Sequence, residues 1–518
     1  MQTGSTLAQD GHGRALWARA GQSALLPALL ALLAGGFVQG LTYLNHDVAW
    51  VLNSSERLLE GGTFGREIVA ANPPLIWWLN APVAGLAGLL GSDPVATFRV
   101  VVLGLLALSL AAFNRALPAS LNQLHRAVLL TGLALLLTLG AGRDFGQREH
   151  LAVALCLPWL MLMAARAEGR QVPRLTAVLA GLAAGVGLCF KPHFLAVPVF
   201  VGLYAMVRQR SLRPVLRIES LVIVLTGVAY VGATWVFARP YLAEVVPLIS
   251  QVYWGFSHSI AQVVLVQISP TVLCLVALPV ALGRGRTAEA MVMALAAAGF
   301  LVAALAQAKG YSYHFYPVTA LALLSLALTT LAPVATWHRM VAVGALVLGL
   351  ALPALQNTLA LRHRMAGGAY GIDTGCLVGM VQQHVPEGGG FMAFSTHPYP
   401  GFPVANYSHR RWVAATNSRL YLPAIVRLRA QGTATPEAAR VLALAEQAER
   451  AAALKDMAHR PALVLIDARE HRHAIGTLPM DFEAFYTEDP AFARIWSGYQ
   501  EINSCVPGIR AFKLTEGT

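Results

Sequence analysis

Residues 127–167, AVLLTGLALLLTLGAGRDFGQREHLAVALCLPWLMLMAARA, hold two apolar runs separated by one short polar stretch. Neither run alternates apolar and polar residues as a half-buried strand would. Each approaches the length that crosses a bilayer, and the second ends on Arg166. The same pattern repeats outward in both directions as far as residue 357. Hydrophobic residues make up 56% of the 518 positions and charged ones 12%, where a soluble domain carries about a quarter. Mean hydropathy is +0.57. The chain reads as a polytopic α-helical membrane protein, and a soluble multidomain enzyme is excluded. The net charge of +12 would suit a nucleic-acid binder, but its distribution argues for no nucleic acid.

Eleven spanning helices are expected, at about 23–44, 95–114, 127–141, 150–165, 175–190, 194–207, 218–238, 260–283, 290–307, 316–333 and 338–357. The apolar run 73–91 is assigned by charge parity. If it does not span, the clusters Arg14/Arg19, Arg115/Arg126, Arg166/Arg170/Arg174, Arg208/Arg210/Arg213/Arg217, Arg284/Arg286 and Arg339 share one side. Basic loops mark the cytoplasmic face. The N-terminus is then cytoplasmic and the C-terminal domain periplasmic, in the bacterial inner membrane. Run 73–91 becomes a re-entrant or surface-lying helix with Trp77 and Trp78 at headgroup level. Segment 239–259 reads as another interface segment, with Tyr253 and Trp254 as bilayer anchors. Residues 1–22 form a polar cytoplasmic segment without a cleavable signal, and 23–357 form the membrane domain.

From 358 to 518 the composition becomes that of a soluble domain. Strand-like runs at 390–395, 463–467 and 508–514 and a helical stretch at 434–458 predict an α/β fold. Cys376 and Cys505 fall near its two ends; an oxidising compartment would permit a bridge, which spacing alone leaves open.

Polar groups collect on the expected outer side. The first loop opens with His46-Asp47, continues through an amphipathic helix expected to lie in the interface, and reaches Glu67 and Asn72-Pro73-Pro74. A carboxylate at the membrane boundary is partly desolvated and so more basic, which suits a general base; helix termination is the plainer explanation for Asp47. The second loop, Arg143 to His150, has five ionisable groups in eight residues. Groups this near hydrocarbon pair or bind something. Arg143 and Arg148 offer forks that match phosphate, while Asp144 and Glu149 could hold a metal or pair with the arginines, and His150 is a further site candidate. Lys191 and His193 follow the fifth helix; Lys309, Tyr313 and His314 follow the ninth. Both lysines defy the inward bias, so lipid-phosphate contacts are expected of them, against simple snorkelling.

Asp47, Glu67, the Pro73–Leu79 pattern PPLIWWL, the pair Glu149-His150 and QAKGYSYHFYP at 307–317 together resemble the GT-C superfamily of membrane glycosyltransferases. The resemblance is to the family 39-like branch of protein O-mannosyltransferases and of aminoarabinose and galacturonic-acid transferases acting on lipopolysaccharide. It covers about residues 23–357. It implies a GT-C fold and transfer of a sugar from a polyprenyl-phosphate donor to a lipid, glycan or protein acceptor in the cell envelope. It also implies that Asp47 activates the acceptor, with inversion at the anomeric carbon. Relatives carry Lys or His before Pro-Pro; Asn72 stands here. A divalent metal, magnesium or manganese, would help the phosphate depart without being required. The rivals are a lipid-linked glycan ligase and a lipid or solute transporter. Transport favours ionisable groups at the midplane and repeated halves, and neither pattern is evident.

Overall fold

The computed structural model describes residues 24–283, 287–332, 336–365, 368–369, 372–433 and 435–515, with side chains omitted at 352–373. The N-terminal segment with Arg14 and Arg19, and the pair Arg284/Arg286, lie outside the described residues. The chain divides into two compact units. The first runs to Leu41 and includes Arg99–Tyr230 and Ser259–Leu359; the second joins Thr42–Phe98, Val231–His258 and Ala360–Thr518.

Among the described residues four helices are long and apolar enough to cross a membrane: Pro94–Ala116, Arg148–Ala167, Ile218–Phe237 and Ala288–Ala306. The pair Ile260–Val266 and Ile268–Ala281, bent by 86°, makes a fifth if it counts as one broken span. The expected eleven are therefore corrected to four or five by length and composition. The reason is length: Gln123–Thr138 and Arg174–Cys189 fall among the shorter apolar helices, and sixteen residues rise only about 24 Å against a hydrocarbon core of about 30 Å.

In the first unit, Arg148–Ala167 and Ala288–Ala306 form the centre, with 89% and 83% of their apolar windows buried, whereas Ile218–Phe237 has 6%. An apolar helix left that open suits a bilayer as its surroundings. Small side chains bring the central helices together. Ser325 Oγ donates to Ala290 O at 2.7 Å and Ser109 Oγ to Ala154 O at 2.7 Å. A Cβ on Gly299 would meet Val197 Cα at 2.8 Å.

The second unit is built on a five-stranded sheet: β1 (Gly390–Phe394), β2 (Arg411–Trp412), β3 (Leu463–Asp467), β4 (Tyr499–Ile502) and β5 (Ile509–Leu514). The order is β2-β1-β3-β5-β4; β1 runs parallel to β2 and β3, and β5 is antiparallel to β3 and β4. Every residue of β3 is buried, as expected of a central strand covered on both faces. Helix Pro436–Met457 is locked to the loop before Leu420 by a buried knot. Arg419 pairs with Glu449 at 2.6 Å and Asp456 at 2.8 Å, and the Tyr486 hydroxyl donates to Glu449 at 2.7 Å. Cys376 and Cys505 form a disulfide.

The early loop is part of this unit. Helix His46–Leu59 packs on helix Leu75–Leu90, and its Val48–Leu52 stretch is buried. Its apolar face is covered by the C-terminal part of the unit. Trp50 meets Phe402 at 5.3 Å, the Asn406 side chain donates to Ala49 O, and Arg57 donates to the Ala414 and Trp412 carbonyls. Trp77 is no headgroup anchor. It is 1% exposed, with its indole N–H donated to Ser54 Oγ at 2.8 Å. Trp78 is half-buried. Segment 239–259 also packs inward. Gly65, at φ +104°, lies so near Tyr241 that no side chain could replace its hydrogen, and Gly255 abuts Ala424 equally closely. Tyr253 is half-buried and Trp254 exposed.

Candidate functional site

The polar stretch before helix Arg148–Ala167 turns sharply at Gly142 and Gly146, both in left-handed conformations. His150 pins that turn: Nδ1 accepts from the Gly146 N–H at 3.0 Å, and Nε2 donates to Leu137 O at 2.7 Å. With both ring nitrogens engaged and no exposed surface, His150 holds the loop and is not placed for proton transfer. Ser312 bridges Arg143 and Asp144, taking a hydrogen bond from the guanidinium at 3.0 Å and giving one to the carboxylate at 3.2 Å.

Behind this turn lies a buried network drawn from three helix ends. Lys191 follows helix Arg174–Cys189, Gln307 follows Ala288–Ala306, and His314 sits in the first turn of Ser312–Thr330. Lys191 Nζ lies 2.6 Å from Glu149 Oε1, 2.7 Å from Gln307 Oε1 and 2.9 Å from His314 Nε2. Lys191 is a donor only, so His314 accepts through Nε2 and, when neutral, carries its proton on Nδ1. That Nδ1 and Glu149 Oε2 are buried without hydrogen-bond partners among the described residues. The Tyr313 ring lies 5.5 Å from Lys191 Nζ and 4.6 Å from the His314 ring.

Further cations converge here. Arg148, Lys191, Lys309 and His193 all act electrostatically on His314. Burial, reinforced by the Lys191 charge, pushes Lys309 down to about 7. Burial and Lys191 also lower His193, which is exposed. Arg148 is 6% exposed, yet among the described residues its guanidinium makes no hydrogen bond or ion pair. A buried, unmatched guanidinium is costly, and here it stands at a helix N-terminus, where unused backbone N–H groups add positive potential. Arg143, Arg148, Lys191 and a protonated Lys309 outweigh Asp144 and Glu149 by two charges. The arrangement is suited to receive an anion.

The other expected residues lie in the second unit. Asp47 opens helix His46–Leu59, where the Asn45 side chain caps its N–H at 2.9 Å. Its carboxylate is partly exposed, 3.8 Å from His46 Nε2. The His46 ring meets His397 at 4.4 Å, and His397 meets His473 at 5.1 Å. His397 and His473 were not singled out by the sequence, since no motif or spacing links them to His46. Glu67 is exposed and accepts from the Thr63 N–H at 2.9 Å, so its carboxylate closes its own loop. The burial expected for a boundary carboxylate instead falls on Glu56, raised to about 7 by desolvation and then by Glu60. Gln307 and Ser312 lie inside the quoted 307–317 motif, but nothing in it distinguished them. Among the described residues no group of three His, Cys, Asp or Glu side chains could hold a metal ion, so magnesium or manganese has no ready-made ligand set there. No protein-family model matches the chain, and no curated protein matches it.

Proposed function

We propose that the chain is a GT-C-like membrane glycosyltransferase that uses a polyprenyl-phosphate sugar and modifies an acceptor of the cell envelope at the outer face of the inner membrane. The observation that carries this reading is Arg148, buried and unmatched at a helix N-terminus within a cation-rich network. A phosphate would supply the missing counter-charge, and guanidinium forks pair with phosphate oxygens in two-point geometry.

In this reading the donor phosphate contacts Arg148, Lys309 and the exposed Arg143. Lys191 is committed to Glu149, Gln307 and His314, so it sets the potential of the site and positions its neighbours. As the acceptor oxygen bonds to the anomeric carbon, the bond from that carbon to the phosphate oxygen breaks and the lipid phosphate leaves with the electron pair. The acceptor's proton passes to a base, the role that the resemblance gives to Asp47, and one displacement inverts the configuration. The cations stabilise charge that grows on the leaving group, where preorganised charge is most effective.

The test uses membranes given a single-sugar polyprenyl phosphate, with released lipid phosphate as the readout. Arg148→Gln is expected to lower donor use by about a hundredfold or more, and Asp47→Asn to abolish transfer while donor binding persists. Normal turnover by Arg148→Gln removes the basis of the reading; normal turnover by Asp47→Asn removes the base assignment alone.

A further inference from the structure

At the opposite end of the first unit's helices, a pocket of about 190 Å³ is lined by Arg166, Arg170, Arg213 and Arg217 with Gln209 and Ser211. Two of the guanidiniums are neutralised. Arg166 pairs with Glu219 at 2.8 Å, and Arg170 with Glu168 at 2.8 Å and Glu289 at 2.7 Å. Arg213 and Arg217 make no side-chain hydrogen bond or ion pair among the described residues, so the four arginines and three glutamates leave the pocket net positive, with these two guanidiniums unmatched.

Arg170 also lines a second cavity, of about 720 Å³, between helices Pro94–Ala116, Arg148–Ala167 and Arg174–Cys189. Its walls are mostly apolar. Small residues on the helices, Ala112, Ala154 and Ala183, leave the space, and Pro158 interrupts the backbone bonding of the middle helix beside it. Leu108 and Leu179 on its rim are 72% and 56% exposed, so the groove opens sideways from helices fit to lie in lipid. From Ala165 to Ala154 it follows the helix for about 16 Å.

We propose that this end of the unit is a binding site for an anionic phospholipid. Its phosphate sits against Arg213 and Arg217, and one acyl chain lies in the groove beyond Arg170. The shared Arg170 makes the two cavities neighbours, and the charges match a phosphodiester head above an apolar tail. The Arg148 network is separated from this site by the length of helix Arg148–Ala167, so the proposal stands apart from the transferase reading.

The test is titration of the full-length protein in detergent with phosphatidylglycerol, phosphatidylcholine or inorganic phosphate, read by native mass spectrometry. Phosphatidylglycerol is expected to bind at least about tenfold tighter than phosphatidylcholine, and R213Q/R217Q to erase that preference. Filling the groove with A183L, or with A112L from a different helix, should weaken phosphatidylglycerol binding about tenfold without changing the unfolding temperature. Equal binding of the two lipids overturns the proposal. So does binding of inorganic phosphate as tight as that of the lipid, or lipid binding indifferent to both groove variants.

Discussion

Helix Arg148–Ala167 carries a buried arginine near each end, and the two ends solve the problem of burying charge differently. At the last turn Arg166 meets Glu219 at 2.8 Å, and both are almost fully enclosed. At the first turn Arg148 has no ion-pair partner among the described residues, while the acid beside it, Glu149, is drawn off to Lys191. Equal burial with unequal pairing separates structure from function. The matched pair fixes the packing of helices, whereas the unmatched cation is the one to which the proposed function gives a phosphate.

Arg166→Ala leaves Glu219 buried and uncompensated and is expected to cost about 3–5 kcal/mol, measured by chemical unfolding in detergent; a loss under about 1 kcal/mol would show that the pair is not structural. Glu149→Gln should cost less, about 2 kcal/mol, because Gln307 and His314 still accept from Lys191. Lys309 sharpens the contrast through pH. Its folded-state value of about 7 lies below the ordinary 10.5, so the unfolded chain binds more protons between these values. Stability therefore rises as pH goes from about 7 to 10.5 and is flat below. Lys309→Gln should remove that slope, and donor affinity, which needs the charged ammonium, should fall as pH rises through 7. Arg148→Gln should have the smallest effect on stability, within about 1 kcal/mol, since no partner is lost; a drop like that of Arg166→Ala would reveal a partner in the fold.

Legibility in the sequence followed interaction range. The apolar runs announced membrane-fit helices, and the β-branched and aromatic runs announced β1, β3 and β5, because both signals are local. Two-residue β2 has no such signal; it exists because Arg411 and Trp412 pair with Gly390 and Phe391. Hydropathy exaggerated the number of spans, since it measures the composition of a run and not where the helix ends. Trp77 read as an anchor because its partner, Ser54, lies 23 residues away. The residue types of the Arg143–His150 cluster were legible, but their roles were not. Glu149 had Arg148 beside it in the chain and pairs instead with Lys191, and that choice is what strands Arg148.

The three-part make-up of the second unit bears on how the protein is built during synthesis. Residues 42–98 leave the ribosome more than 250 positions before 360–518, yet Arg57 needs carbonyls at 412 and 414, and Val69 pairs its N–H with Ala415 O. Until translation is nearly complete, the early hairpin has its polar backbone partners and the cover for Trp50 still unmade. Maturation of this half is therefore a late event, and a chain cut short between residues 360 and 411 would strand its own beginning.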